Sequence, residues 1–395
     1  MRFFHHNLLR ISLLSTVVAI ASPSRDGATF KQHKDVGSPA SISNTLFASF
    51  ERLSRLVDIT YCVGTTGIRQ PFSCLSRCKD FPSLELVTTW NTGALMSDSC
   101  GYIAVDHGTK SEHRAIIIAF RGTYSIANTV VDLSTVPQEY VPYPAPDGDD
   151  GQGPDKPEHV CRNCTVHLGF LTSWQITRRT VLPELKQLHA RYPDYTIHII
   201  GHSLGGAVSA LAALELKVIL GWDDMVVTTF GEPRVGNVGF TEYLDTVFAL
   251  DAPGMDQEQR VYRRITHIDD PVPLLPLSEW GYRSHAGEFF ISKYDLSPEP
   301  SDIQPCNGDY DAQCTAGAQE ELVAQSRGLA LSEPESQDTD PTAGGVLHLP
   351  TRIKPWELFF AHRDYFWRLG LCIPGGDPVD WGRSPYPEQT ENDEL

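Results

Sequence analysis

Apolar residues in this chain gather into short continuous runs, separated by longer stretches where they recur at intervals of three and four. Ala115-Ile116-Ile117-Ile118-Ala119-Phe120 contains no polar residue, and such a run predicts a strand covered on both faces. Ile197 to Ile200, Met225 to Phe230 and Val261 to His267 predict further strands, while Leu84–Trp90 and Cys100–Asp106 alternate as strands do. Thr45 to Tyr61 places Leu46, Phe47, Phe50, Leu53, Leu56 and Val57 at helical spacing. Leu168 to Tyr192, Val208 to Leu220 and Phe240 to Leu250 also read as helices. Strands alternating with helices predict an α/β fold.

The pattern breaks in four places. Residues 136–160 are rich in Pro, Gly and Asp, and read as a surface excursion. Residues 297–345 lose apolar periodicity and read as an insertion, mostly loop; order returns over Trp356–Trp367. The tail 375–395 is polar and ends Asn392-Asp393-Glu394-Leu395, an ER-retention tetrapeptide with the wrong first residue. At the other end, Arg2 and Arg10 flank an apolar start, and Ile11 to Ala21 closes on Ala19-Ile20-Ala21. That is a secretory signal over 1–21, followed by a Ser/Pro/Lys-rich leader or propeptide over 22–43. Residues 44–374 then form the expected domain, and no apolar run is long enough to span a bilayer.

A formal net charge of −18 over 395 residues argues against nucleic acid and anionic membranes as partners. Nine cysteines in an exported chain predict disulfides and one spare thiol. Cys74/Cys78, Cys161/Cys164 and Cys306/Cys314 are near enough in sequence to close small loops, leaving Cys62, Cys100 and Cys372. A Cys62–Cys372 bridge would join the ends of the domain, worth about 5 kcal/mol by chain entropy. Asn163-Cys164-Thr165 is a glycosylation sequon.

The chemistry centres on Gly201-His202-Ser203-Leu204-Gly205, with an apolar strand before it and an Ala/Leu-rich helix after it. G-x-S-x-G between strand and helix is the nucleophile elbow of an α/β-hydrolase. A serine needs a base and an orienting acid, and in this fold both follow it in the chain. The downstream histidines are His267, His285, His348 and His362, and Asp269 and Asp270 sit just past a buried strand. Oxyanion donors are expected from the backbone of Leu204 and from Thr123, in the loop after an earlier strand. Ser125 is placed to cap a short helix whose Ile126, Val130 and Leu133 make one apolar stripe, read either as surface helix or as a lid.

These segments resemble the class 3 lipases of filamentous fungi, a family that also contains feruloyl esterases. The match is carried by Ile118–Thr123, Ser125–Asn128, His167–Phe170, Gly201–Gly206, Pro233–Asn237, Arg264–Pro273 and Ala361-His362 before Tyr365-Phe366. The resemblance implies a mostly parallel sheet flanked by helices, with Ser203 as nucleophile, Asp270 as acid and His362 as base. It places Thr123 and Leu204 at the oxyanion hole and a lid over Tyr124–Leu133. Its disulfide pattern matches Cys62–Cys372, Cys74–Cys78 and Cys161–Cys164, leaving Cys100 as the odd thiol. Thr129 stands where well-known lids carry tryptophan, Asp269 where Asn is usual, and Pro271 replaces an aliphatic residue. The implied activity is a secreted lipase acting on tri- or partial acylglycerols, at a lipid–water interface, with no metal or cofactor. A soluble-ester esterase of feruloyl type is the rival, and a silent hydrolase fold used for binding is the reading outside enzymology. Oligomeric state is left open.

Overall fold

The computed structural model describes residues 41–93, 99–108, 114–123, 133, 137–139, 161–250, 252, 254–308, 310–316 and 361–387. These fall in one unit, Ala40–Leu395. The secretory signal, most of the leader, Ser125, Ile126, Val130, His348, residues 317–360 and the last eight residues lie outside the described residues.

Among the described residues twelve strands appear in chain order: β1 Leu84–Asn91, β2 Cys100–Asp106, β3 Ala115–Phe120, β4 Pro137–Glu139, β5 Thr165–His167, β6 Thr196–His202, β7 Met225–Phe230, β8 Gly236–Asn237, β9 Tyr262–His267, β10 Tyr282–Arg283, β11 Glu288–Ile291 and β12 Ile303–Pro305. The α-helices among the described residues are α1 Asn44–Ile59, α2 Leu168–Arg191, α3 Leu204–Leu214 and α4 Val238–Val247. An eight-stranded sheet runs β1-β2-β3-β6-β7-β9-β11-β12. Pairing is parallel from β3 to β11 and antiparallel at both margins. A small sheet, β10-β8-β5-β4, has strands too short to show a period in the sequence.

The continuous apolar runs are explained by helices on both faces. Ile116, Ile118, Ile197 and Ile199 join the core cluster that contains Trp174 of α2, Leu211 of α3 and Leu244 of α4. Ile117, Ala119 and Ile200 join the opposite cluster with Phe50 and Leu53 of α1 and with Tyr365–Trp367. Neighbours along a strand point to opposite faces, so only a sheet buried on both sides keeps both sets dry. Side chains cap the helix starts: Ser43 Oγ accepts from Leu46 N–H, His167 Nδ1 from Gly169 N–H, and Asn237 Oδ1 from Phe240 N–H.

β11 has no counterpart among the expected strands, and β12 falls at the start of the stretch read as an insertion. The two pair with each other, extending the sheet past β9. The four bridges are Cys62–Cys372, Cys74–Cys78, Cys161–Cys164 and Cys306–Cys314. Cys100 stays a buried thiol that donates to Asn91 Oδ1.

The beginning of the tail is docked. Asp380 is buried and accepts from Arg77 at 2.8 Å, Tyr386 packs on Phe47, and the Arg77 guanidinium lies 4.1 Å from the Trp367 ring centre. Asp58, fully buried in the same cluster, accepts Gly370 N–H. Burial pushes its carboxyl up from 3.8 to about 6, against the opposing pull of Arg77 and the Gly370 hydrogen bond. The folded chain therefore holds this proton more tightly than the unfolded one. The resulting stabilisation is full below pH 3.8 and is lost as pH rises through about 6. Asp58→Asn is expected to flatten that loss, so the difference in Tm between pH 4 and pH 7 narrows; parallel profiles for the two proteins would contradict it.

Candidate active site

β6 ends at His202 and α3 begins at Leu204, so one residue makes the whole turn. Ser203 takes φ 58° and ψ −130°, a conformation that costs about 1–3 kcal/mol. It is pinned on both sides: its N–H donates to the Phe230 carbonyl at 2.9 Å, and its own carbonyl accepts Gly206 N–H at 2.8 Å. A Cβ on Gly201 would stand 2.3 Å from the Gly205 carbonyl oxygen, and one on Gly205 would stand 2.4 Å from that of Phe120. The two glycines let the first turn of α3 lie directly on the backbone of β6 and the end of β3.

The loop after β3 passes close to the serine. A Cβ on Gly122 would meet Ser203 Cβ at 2.7 Å, which only glycine avoids. Arg121 fixes this loop, its N–H donating to Cys100 and its Nη1 to the carbonyl of Val63 at 2.7 Å. Thr123 follows, with its Oγ1 buried and meeting no hydrogen-bond partner among the described residues. Leu204 is the first residue of α3, so its N–H is one of those that no helical carbonyl can accept.

His362 Nδ1 lies 2.8 and 3.0 Å from the two oxygens of Asp270. A carboxylate only accepts, so Nδ1 carries a proton, and in the neutral ring the lone pair is then on Nε2. That Nε2 is buried and has no hydrogen-bond partner among the described residues. Burial alone would raise the Asp270 carboxyl. The His362 imidazole and hydrogen bonds from His362, Tyr365 and Val272 outweigh it and hold the group below 3.8. Of the other sequence candidates, His285 faces Glu232 at 3.0 Å and His267 Nδ1 accepts Asp269 N–H. Among these candidates it is the His362 ring that stacks on the ring of His202, the residue before Ser203.

Three contributors carry no signal in the sequence. Tyr365, fully buried, donates its hydroxyl to Asp270 Oδ2. His202 accepts from the Tyr61 hydroxyl at 2.6 Å and donates Nε2–H to the His362 carbonyl at 2.8 Å. Its ring stacks on that of His362, centroids 4.6 Å apart. Burial, then the neighbouring His362, push the His202 imidazole down to about 3, so it stays neutral. Aromatic richness around His362 predicts packing but cannot distinguish a hydroxyl that holds the acid from one that fills space. Leu133, the one described residue of the expected lid stripe, is fully buried in the same cluster as Phe120 and Leu204. Among the described residues, the one group with metal-like spacing is Glu288 with Cys306 and Cys314, and those two sulfurs are bonded to each other.

Residues 117–280 match the family model described as Lipase (class 3). The chain is 56% identical over 387 residues to "Secreted mono- and diacylglycerol lipase 2" of Gibberella zeae, covering 96% of this chain and 94% of that one. It is 56% identical over 389 residues to "Lipase A" of Sodiomyces alcalophilus, covering 94% and 93%. Among solved structures, the Lip2 lipase of Yarrowia lipolytica superposes with a TM-score of 0.65 at 30% identity, covering 85% of this chain and 98% of that one.

Removing the Tyr365 hydroxyl strips a donor from the ionised form of a buried carboxylate. Tyr365→Phe is expected to lower unfolding free energy by about 1.5–3 kcal/mol. It should also move the acid limb of short-chain ester turnover to higher pH. An unchanged Tm with a superimposable pH profile would contradict this role.

Proposed function

From a chain that belongs to the class 3 lipase family, and is a secreted carboxylic-ester hydrolase, we propose a catalytic cycle run by Ser203, His362 and Asp270. The observation that carries it is a pair of buried atoms with no partner among the described residues, His362 Nε2 on the ring stacked against His202 and Thr123 Oγ1 in the loop that touches Ser203, with that serine held at φ 58°. Ser203 Oγ attacks the ester carbonyl while His362 Nε2 takes its proton. The imidazolium is balanced by Asp270, which keeps its charge because its carboxyl is held low. His202, held neutral, places no second positive charge against that ring.

The oxyanion is received by the N–H of Leu204 and by Thr123, each donor worth about 2.7–4 kcal/mol in serine hydrolases. The imidazolium then protonates the leaving alcohol, and water activated by the same histidine hydrolyses the acyl-enzyme. No step calls for a metal or cofactor. We assign Tyr124–Leu133 as the lid, on the helical spacing of Ile126, Val130 and Leu133 in the sequence.

The substrates we propose are mono- and diacylglycerols, supported by the name of the Gibberella zeae relative. Ser203→Ala is expected to reduce hydrolysis of an emulsified diacylglycerol by at least about 10⁴-fold with unchanged Tm. Retained activity would overturn the assignment. On a panel of diacylglycerol, trioctanoin and methyl ferulate, the rate should be highest on the diacylglycerol. It should rise as the substrate passes its solubility limit; methyl ferulate as best substrate would favour the esterase reading.

A further inference from the structure

Asn163-Cys164-Thr165 is the one Asn-x-Ser/Thr tripeptide in this secreted chain. The Asn163 side chain is exposed and makes no hydrogen bond among the described residues. Its backbone has φ 54°, a left-handed conformation that Asn tolerates better than most residues. We propose that Asn163 carries an N-linked oligosaccharide, attached before the Cys161–Cys164 bridge closes. The donor class is a lipid-linked oligosaccharide pyrophosphate. The Asn163 Nδ2 bonds to the anomeric carbon, the bond from that carbon to the pyrophosphate oxygen breaks, and the displaced amide proton goes to the lipid pyrophosphate.

The order of events follows from how the finished fold holds the tripeptide. The Asn237 side chain grips both ends, its Oδ1 accepting Thr165 N–H at 3.0 Å and its Nδ2 donating to the Asn163 carbonyl at 2.7 Å. Thr165 is paired with Glu139 in the small sheet, and Cys164 is tied to Cys161. A Cβ on Gly239 would stand 2.8 Å from the Arg162 carbonyl oxygen, so the start of α4 lies directly on the loop. A transferase must draw Asn163 and Thr165 into its own site together, and this loop cannot yield without losing the bridge and the Asn237 contacts. The same geometry leaves Asn163 exposed, so its amide lies outside the core of the described residues.

The test compares masses of the full chain secreted by a eukaryotic host, before and after peptide N-glycosidase. The wild type is expected to lose an oligosaccharide, and Asn163→Gln to have none to lose; an unmodified Asn163 in the wild type would overturn the proposal. The order is tested with unglycosylated full-length chain from a bacterial host, presented to microsomal transferase either folded and oxidised or reduced and unfolded. Transfer should be at least tenfold greater to the reduced chain. Equal transfer to both, or none to either, would overturn it.

Discussion

Ser203 is held in its strained turn by direct backbone contact among β6, α3 and the end of β3, and the rest of the site is arranged around that contact. A side chain at Gly201 or Gly205 would occupy the space of a carbonyl oxygen, so the helix could not approach and the serine would relax. The strain is sustained because the neighbouring strand also takes part: Phe230 accepts the serine N–H, and Gly231 follows it. At Gly231 a Cβ would stand within 3 Å of the Tyr365 hydroxyl, Asp270 Oδ2 and His362 Cε1. One set of close backbone approaches thus fixes Ser203 and leaves room for Asp270 and His362.

His362 comes from the far end of the domain, and several independent ties bring it back. Cys62–Cys372 closes the chain beside Tyr61, whose hydroxyl reaches the site through His202. His202 in turn holds the backbone carbonyl of His362 itself. On the outer side, Arg77 joins Asp380 and Trp367 to the Cys74–Cys78 loop. The buried carboxylates Asp58, Asp270 and Asp380 each accept hydrogen bonds here, as burial demands. Positioning His362 therefore draws on the turn after α1, the elbow and the C-terminal segment at once.

Much of this was legible in the sequence where periodicity or backbone chemistry left a mark. The buried strands β3, β6, β7 and β9 read as continuous apolar runs, and α2 read as one helix despite Pro183 within it. Gly201 and Gly205 announced the elbow because no other residue fits there. The choice of Asp270 over Asp269, and of His362 over His267 and His285, came from family resemblance, since spacing alone left them open. β11, β12 and the small sheet left little trace because two to four residues cannot establish a period. The role of Tyr365 was hidden for another reason. A hydroxyl on a buried carboxylate and a hydroxyl in a packed core look alike until the fold sets their distance.

The central claim is that the strained serine beside the Asp270–His362 pair is the group that acquires the acyl chain. An alkyl phosphonate ester, which traps a serine as a stable tetrahedral adduct, tests it most directly when followed by peptide mass mapping. The account predicts one adduct per chain, on Ser203, forming in step with loss of lipase activity. An adduct on another residue, or full activity with Ser203 fully labelled, would contradict it.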